Sequence, residues 1–290
     1  MSPEGIFLWI IAAIFYGLDY LQHTAPSVLI LPISKSLGIN FISIANTMNI
    51  YFPVYAISQI PAGYLIERYG LRKTLSIACL IVSIGLFIMS ISSLDSILFG
   101  RILIAMGSAF AFIGGLKAAA IYLPNKIFPL MVGLLQSIGV IGGLIGEVFL
   151  DSLLKNIGWQ NTIYYLSIFG VFWAIIIFIF LRKKDIKKNK DIKRNKKIKK
   201  KDILKILQDK KVWILAFYAA FIVGSVMSAF AETYSVIILE KIKHFSSHHA
   251  AWLSSMIIIG VGVGAPLQGI ISAKFKNKAN IISFIECMKI

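Results

Sequence analysis

Gly63-Tyr64-Leu65-Ile66-Glu67-Arg68-Tyr69-Gly70-Leu71-Arg72-Lys73 sets one acid and three bases between two glycines and a helix start, with a long apolar segment on either side. Charge of this kind stays in water, so the stretch predicts a short loop at a membrane surface rather than a core turn. The whole chain agrees. Its 290 residues are 58% hydrophobic and only 15% charged, with mean hydropathy +0.80, which excludes an ordinary soluble globular protein. The net charge is +17, and tract 182–211 carries sixteen Lys/Arg against four Asp, so most of the excess sits in one segment. That segment lacks interleaved aromatics and any recognition motif, so no nucleic-acid partner is expected. Cys79 and Cys287 suit neither a disulfide framework nor a metal site.

About 20 apolar residues cross the hydrocarbon core as a helix. Eight such spans are read at 6–30, 41–62, 74–92, 97–121, 128–150, 161–181, 212–239 and 250–272. A ninth apolar run begins near Ala279 and reaches Ile290 too short to span. The first run has no basic leader and contains Asp19 and Pro26, so it reads as a retained helix and not a cleaved signal. Loops 63–73, 122–127, 182–211 and 273–278 carry the Lys/Arg, whereas 31–40, 93–96, 151–160 and 240–249 carry little net charge. The positive-inside bias puts the first set, and the N-terminus, in the cytoplasm. The abundance of Ile, Lys and Asn suggests an AT-rich bacterial genome, hence a bacterial cytoplasmic membrane. Tract 182–211 reads as a solvated basic linker that attracts anionic lipid heads.

A faint internal repeat follows the second and eighth spans. Gln59-Ile60-Pro61-Ala62-Gly63 leads into Glu67-Arg68, and Pro266-Leu267-Gln268-Gly269 leads into Ala273-Lys274. Six spans, a basic linker and a second start of the pattern match the two-half plan of parallel-repeat carriers. At these residues the chain resembles the major facilitator superfamily. The resemblance rests on Gly63, Leu65, Arg68, Gly70 and Lys73 in the family's loop between helices 2 and 3, with Glu67 where Asp is usual. Arg101 and Gly107 in helix 4 add to it. It implies an all-α membrane protein of the major facilitator fold, with a complete N-terminal six-helix bundle (1–181), a basic linker (182–211) and an incomplete C-terminal bundle (212–290). A finer likeness, to a bacterial branch related to lysosomal dipeptide transporters, rests on Ala25–Leu29, Ser108–Lys117, Phe230–Glu232 and Gly262–Gly269.

Ionisable groups at bilayer depth are costly and mark pathways or partners. Asp19 reads as a proton or substrate contact, or as a structural anion. His23, four residues on, shares its face and titrates near neutrality. Lys117, after Gly114-Gly115, reads as a ligand for a substrate carboxylate or as a side chain snorkelling to the inner interface. Glu232 in the seventh span reads as a cavity carboxylate or half of a structural pair. Arg101 reads as a residue for gating or for holding a neighbouring carboxylate, or as an interfacial anchor. Glu147 reads as facing headgroups. Tyr51, Tyr55 and Gln59 recur every four residues and share a face that either lines a cavity or bonds a neighbouring helix. Gly139, Gly142, Gly143 and Gly146 read as a close-packing stripe. The loop glycines Gly63 and Gly70 read as a tight turn, with Arg68, Arg72 and Lys73 pinning it inside and Glu67 as a charged latch.

Enzyme motifs are absent: no phosphate-cradling loop, H-E-x-x-H or nucleophile elbow is present, and no cofactor is implied. The expected function is alternating-access transport of a small polar solute, dipeptide-like or an organic anion, driven by a gradient or facilitative, with proton coupling open. Asp19, Lys117 and Glu232 lead the substrate or proton contacts. Two alternatives stand beside it. One is a non-transporting remnant that lacks helices 9 to 12 unless a separately encoded C-terminal fragment or an oligomer supplies them. The other is a membrane adaptor that docks through the basic linker.

Overall fold

The computed structural model describes residues 2–181, 208–221, 238–239 and 247–274, and these are helical apart from short junctions. In chain order the helices are α1 (Pro3–Leu37), α2 (Phe41–Asn49), α3 (Tyr51–Tyr69), α4 (Leu71–Met89), α5 (Leu94–Tyr122), α6 (Phe128–Ile157), α7 (Trp159–Phe180), α8 (Lys210–Phe221) and α9 (Ser247–Lys274). Among the described residues, five helical segments are long and apolar enough to cross a membrane: α1, α4, α5, α6 with the turn before it, and α7. The basic linker as far as Leu207, the loop 240–246, Glu232, the run after Lys274 and Cys287 lie outside the described residues, as does the side chain of Glu147.

The chain divides into two compact units, residues 1–184 with 265–290, and residues 185–264. In the second unit α8 starts where the Lys211 amide donates to Asp209 Oδ1 at 2.9 Å, and Trp213 and Phe217 pack one turn apart. The first unit is a bundle in which α4 lies along α5 and α7, and α1 along α6 and α5.

The second span is not one helix. It breaks at Ile50, and Pro53 in the first turn of α3 explains why: it has no N–H to bond the carbonyl of Asn49. The opening loop is also tighter than its sequence suggests. α3 continues to Tyr69 and α4 begins at Leu71, so Gly70 alone makes the turn, at φ +85°, where a side chain would be strained. Gly63 lies inside α3, and a Cβ there would meet open space. Gly158, at φ +79°, joins α6 to α7 in the same way, so most of the expected loop 151–160 is helix. The chain leaves α1 similarly late, at Gly38, an αL cap whose amide bonds Ser34 O.

Glycine sets the close approaches. Gly100, Gly107 and Gly114 fall seven apart along one face of α5 against α4, and a Cβ on Gly107 would stand 2.4 Å from Ala78 O. The α6 stripe packs on α1 as expected: a Cβ on Gly142 would lie 2.3 Å from Gly17 O, and one on Gly146 2.8 Å from Leu21 Cγ. The two repeat copies differ here. Gly269 abuts the Pro129 carbonyl within 2.4 Å of a would-be Cβ, whereas its counterpart Gly63 touches nothing. Gly107→Ala is therefore expected to cost about 3 kcal/mol through a clash with backbone that cannot yield. Gly63→Ala is expected to be neutral or to gain up to about 1 kcal/mol of helix propensity. Thermal unfolding of the two purified variants in one detergent checks the contrast.

Candidate functional site

Three helices bring five of the sequence-predicted residues together. α1 supplies Asp19 and His23, α3 supplies Tyr51 and Tyr55, and α5 supplies Arg101. Asp19 is 1% exposed although it is charged and lies mid-helix. The Tyr51 hydroxyl donates to Asp19 Oδ1 at 2.8 Å, and His23 Nε2 stands 3.8 Å from the same oxygen. Asp19 Oδ2 has no partner. A cavity of about 20 Å³, the size of one water, touches Asp19 and Gln22 and is otherwise lined by apolar side chains of α1, α4 and α7. The α6 glycine stripe makes this placement possible, because it lets α1 press in until Tyr16 and Tyr20 pack edge-on and Tyr16 donates to Gln136 at 3.1 Å.

His23 sits in an aromatic cage. Its ring lies 4.9 Å from that of Tyr51, 5.1 Å from Tyr55 and 5.6 Å from Tyr20. Tyr51 and Tyr55 stack at 5.5 Å, so the shared face of the second span is real. Tyr51 is fully buried, whereas Tyr55 and Gln59 are half-buried.

Arg101 is neither the interfacial anchor nor the partner of a carboxylate that the sequence allowed. It is completely buried, so it is no interfacial anchor. It also forms no ion pair with a carboxylate; among the described residues Asp19 pairs with His23. Its Nε donates to Met48 O at 3.0 Å and Nη1 to Gln22 O at 3.2 Å, while the guanidinium carbon lies 4.6 Å over the Tyr51 ring. Both carbonyls lack helical partners for a reason in the sequence. Gln22 precedes Pro26 by four residues, and proline has no N–H to return. Met48 lies in the last turn of α2, where the break at Ile50 interrupts the ladder before α3 begins. Arg101 thus fills two gaps in the backbone ladders of α1 and α2 and holds the ring that bonds Asp19. Sequence reasoning missed Gln22 and Met48 in this role; Pro26 was the signal for the first. It also missed Ser108, whose buried hydroxyl on α5 lies beside Asp19 and Tyr51.

Lys117 is not part of this cluster. Its ammonium pairs with Glu67 of α3, tying the opening loop's acid to α5. Of the partners open to Glu67 as a latch, Arg68, Arg72 or a neighbouring helix end, the structure gives the last: Lys117, near the end of α5. Arg68 instead bonds the Tyr64 hydroxyl at 2.8 Å, and Arg72 lies over the Phe178 ring at 4.2 Å. The pair is a third to a half exposed, where ion pairs contribute about 0–1 kcal/mol. Lys117→Ala is accordingly expected to lower stability by under about 1 kcal/mol. Thermal unfolding against wild type checks this, with the exchanged pair Glu67→Lys/Lys117→Glu expected to recover the loss.

Comparison with known proteins places this geometry. The family model described as Major Facilitator Superfamily matches residues 8–285. A probable anion transporter 7 of Oryza sativa subsp. japonica is 22% identical over 176 residues, covering 60% of this chain and 40% of that protein. A hexuronate transporter of Bacillus subtilis is 25% identical over 188 residues, covering 63% and 42%. A probable L-galactonate transporter of Escherichia coli is 23% identical over 176 residues, covering 58% and 37%. The chain spans about 40% of the length of these relatives. Among solved structures, the proton:xylose symporter XylE bound to 6-bromo-6-deoxy-D-glucose superposes with TM-score 0.59 at 14% identity, over 94% of this chain and 70% of that one. That likeness concerns the fold alone.

Proposed function

The chain belongs to the Major Facilitator Superfamily, and from that premise we propose that it takes part in moving a small organic anion across a membrane, with Asp19 as the carboxylate that carries a coupled proton. It is a multi-pass membrane protein of a transporter family and not an enzyme. The observation that carries the proposal is Asp19 itself. A carboxylate fully buried among membrane-length helices, with one oxygen held by Tyr51 and the other unpartnered, is expensive unless it gains and loses a proton in use.

A sugar acid is the substrate class the relatives' names support. Such a molecule presents one carboxylate and several hydroxyls. Lys117 supplies the ammonium for the carboxylate, once it is released from Glu67, and the half-buried Tyr55, Gln59 and His23 supply hydrogen bonds for hydroxyls. Glu232 is a further candidate contact from the sequence. The dipeptide reading rests on short strings such as Ala25–Leu29 alone and draws no support from the anion, galactonate and hexuronate carriers named above.

Uptake of radiolabelled glucuronate into proteoliposomes tests the class. Excess galactonate should suppress the uptake and excess dialanine should leave it unchanged. Suppression by dialanine but not by galactonate would overturn the sugar-acid reading.

A further inference from the structure

α4 and α7 are drawn together by small residues. Ser76 Oγ donates to Ala174 O at 2.9 Å, Cys79 Sγ approaches Gly170 O at 3.4 Å, and a Cβ on Gly170 would stand 2.3 Å from Ser83 Oγ. The larger side chains on either side of that seam cannot close over it. Between them lies an open trough of about 400 Å³, floored by Ser76 and Ala174 and walled by Ile77 and Leu80 of α4 and Ile175 and Phe178 of α7. Ile77, Ile175 and Phe178 are exposed, and both helices are membrane-length, so the trough faces the surrounding lipid.

One end of the trough is charged. Lys73, in the first turn of α4, lines it. Arg72 lies beside it over the Phe178 ring at 4.2 Å, and its Nε is buried without a hydrogen-bond partner. None of the residues that line this trough lines the cavity beside Asp19. An apolar channel that ends in two cations has the polarity of a phospholipid: hydrocarbon along the trough and a phosphate at the basic end. Basic pockets between transmembrane helices take anionic head groups.

We propose that the α4–α7 trough is a binding site for one anionic phospholipid, with an acyl chain lying along Ile77, Leu80 and Ile175 and the phosphate held by Lys73 with the guanidinium of Arg72 beside it. The Phe178 ring holds Arg72 at the mouth through a cation–π contact, so the guanidinium is positioned before lipid arrives. A zwitterionic lipid would fill the same hydrocarbon channel, but its ammonium would meet the two cations and weaken the contact.

The full chain, exchanged into mixed phosphatidylglycerol and phosphatidylcholine micelles and analysed by native mass spectrometry, tests this. The wild type should retain one phosphatidylglycerol in preference to phosphatidylcholine. Arg72→Gln/Lys73→Gln should weaken that preference about 30-fold, from about 5-fold per cation near an anionic group. Ile77→Trp, at a lipid-exposed position where folding is not at stake, should release the same lipid by filling the trough while both cations remain. Retention of phosphatidylglycerol in the double glutamine variant would overturn the proposal. Loss in that variant but full retention in Ile77→Trp would overturn it too, because the lipid would then be adsorbed to a basic surface with no chain in the trough.

Discussion

Arg101→Met is expected to destabilise the purified chain by about 2–6 kcal/mol, the cost of leaving two buried carbonyls, Gln22 O and Met48 O, without donors at about 1–3 kcal/mol each. Relief from burying a guanidinium offsets part of this, since its Nη2 has no partner. Arg101→Lys should fall between, because a single ammonium lacks the planar fork that reaches two helices at once. The account makes a sharper claim about the cause. If Arg101 replaces the hydrogen bond that Pro26 cannot give, then Pro26→Ala restores an N–H to Gln22 O and lessens the need for the arginine. The double variant Pro26→Ala/Arg101→Met should be more stable than the sum of the single changes, by about 1 kcal/mol or more. Denaturant unfolding in detergent checks the cycle, and strict additivity would show that the two residues do not share that carbonyl.

Asp19→Asn is expected to abolish uptake driven by a proton gradient while leaving exchange of substrate across the membrane in place. The amide keeps the shape and can still accept from Tyr51, but it takes up no proton. Loss of a positioned proton-transfer group reduces a rate by about 100-fold or more, and gradient-driven accumulation should fall by that order. Exchange at equal pH on both sides asks nothing of the proton and should stay within a few-fold of wild type. Tyr51→Phe separates position from charge: it keeps Asp19 ionisable but frees it from its hydroxyl, so accumulation should weaken without vanishing.

Much of this was legible in the sequence, for identifiable reasons. Hydropathy marks the membrane-length helices because a bilayer demands them. Four-residue spacing put Asp19 with His23 and Tyr51 with Tyr55, each pair on its own helix; that the two pairs meet came only from the structure. The α6 glycines read correctly as packing because small residues in that spacing have few other uses. What stayed hidden depends on geometry between helices. Arg101 looks like any charge near a helix start until Pro26 and the end of α2 are brought beside it. Gly63 and Gly70 read alike in the sequence, yet only Gly70 makes the turn, because α3 runs a further turn and a half past Gly63. Lys117 and Glu67 are 50 residues apart, and nothing in either neighbourhood names the other.

The most direct test of the central claim, that Asp19 carries a proton with the substrate, is the internal pH of proteoliposomes when substrate is added outside. With a pH-sensitive dye trapped inside and no imposed gradient, addition of glucuronate to wild-type vesicles should acidify the lumen, and addition to Asp19→Asn vesicles should not. Equal acidification in both would contradict the account.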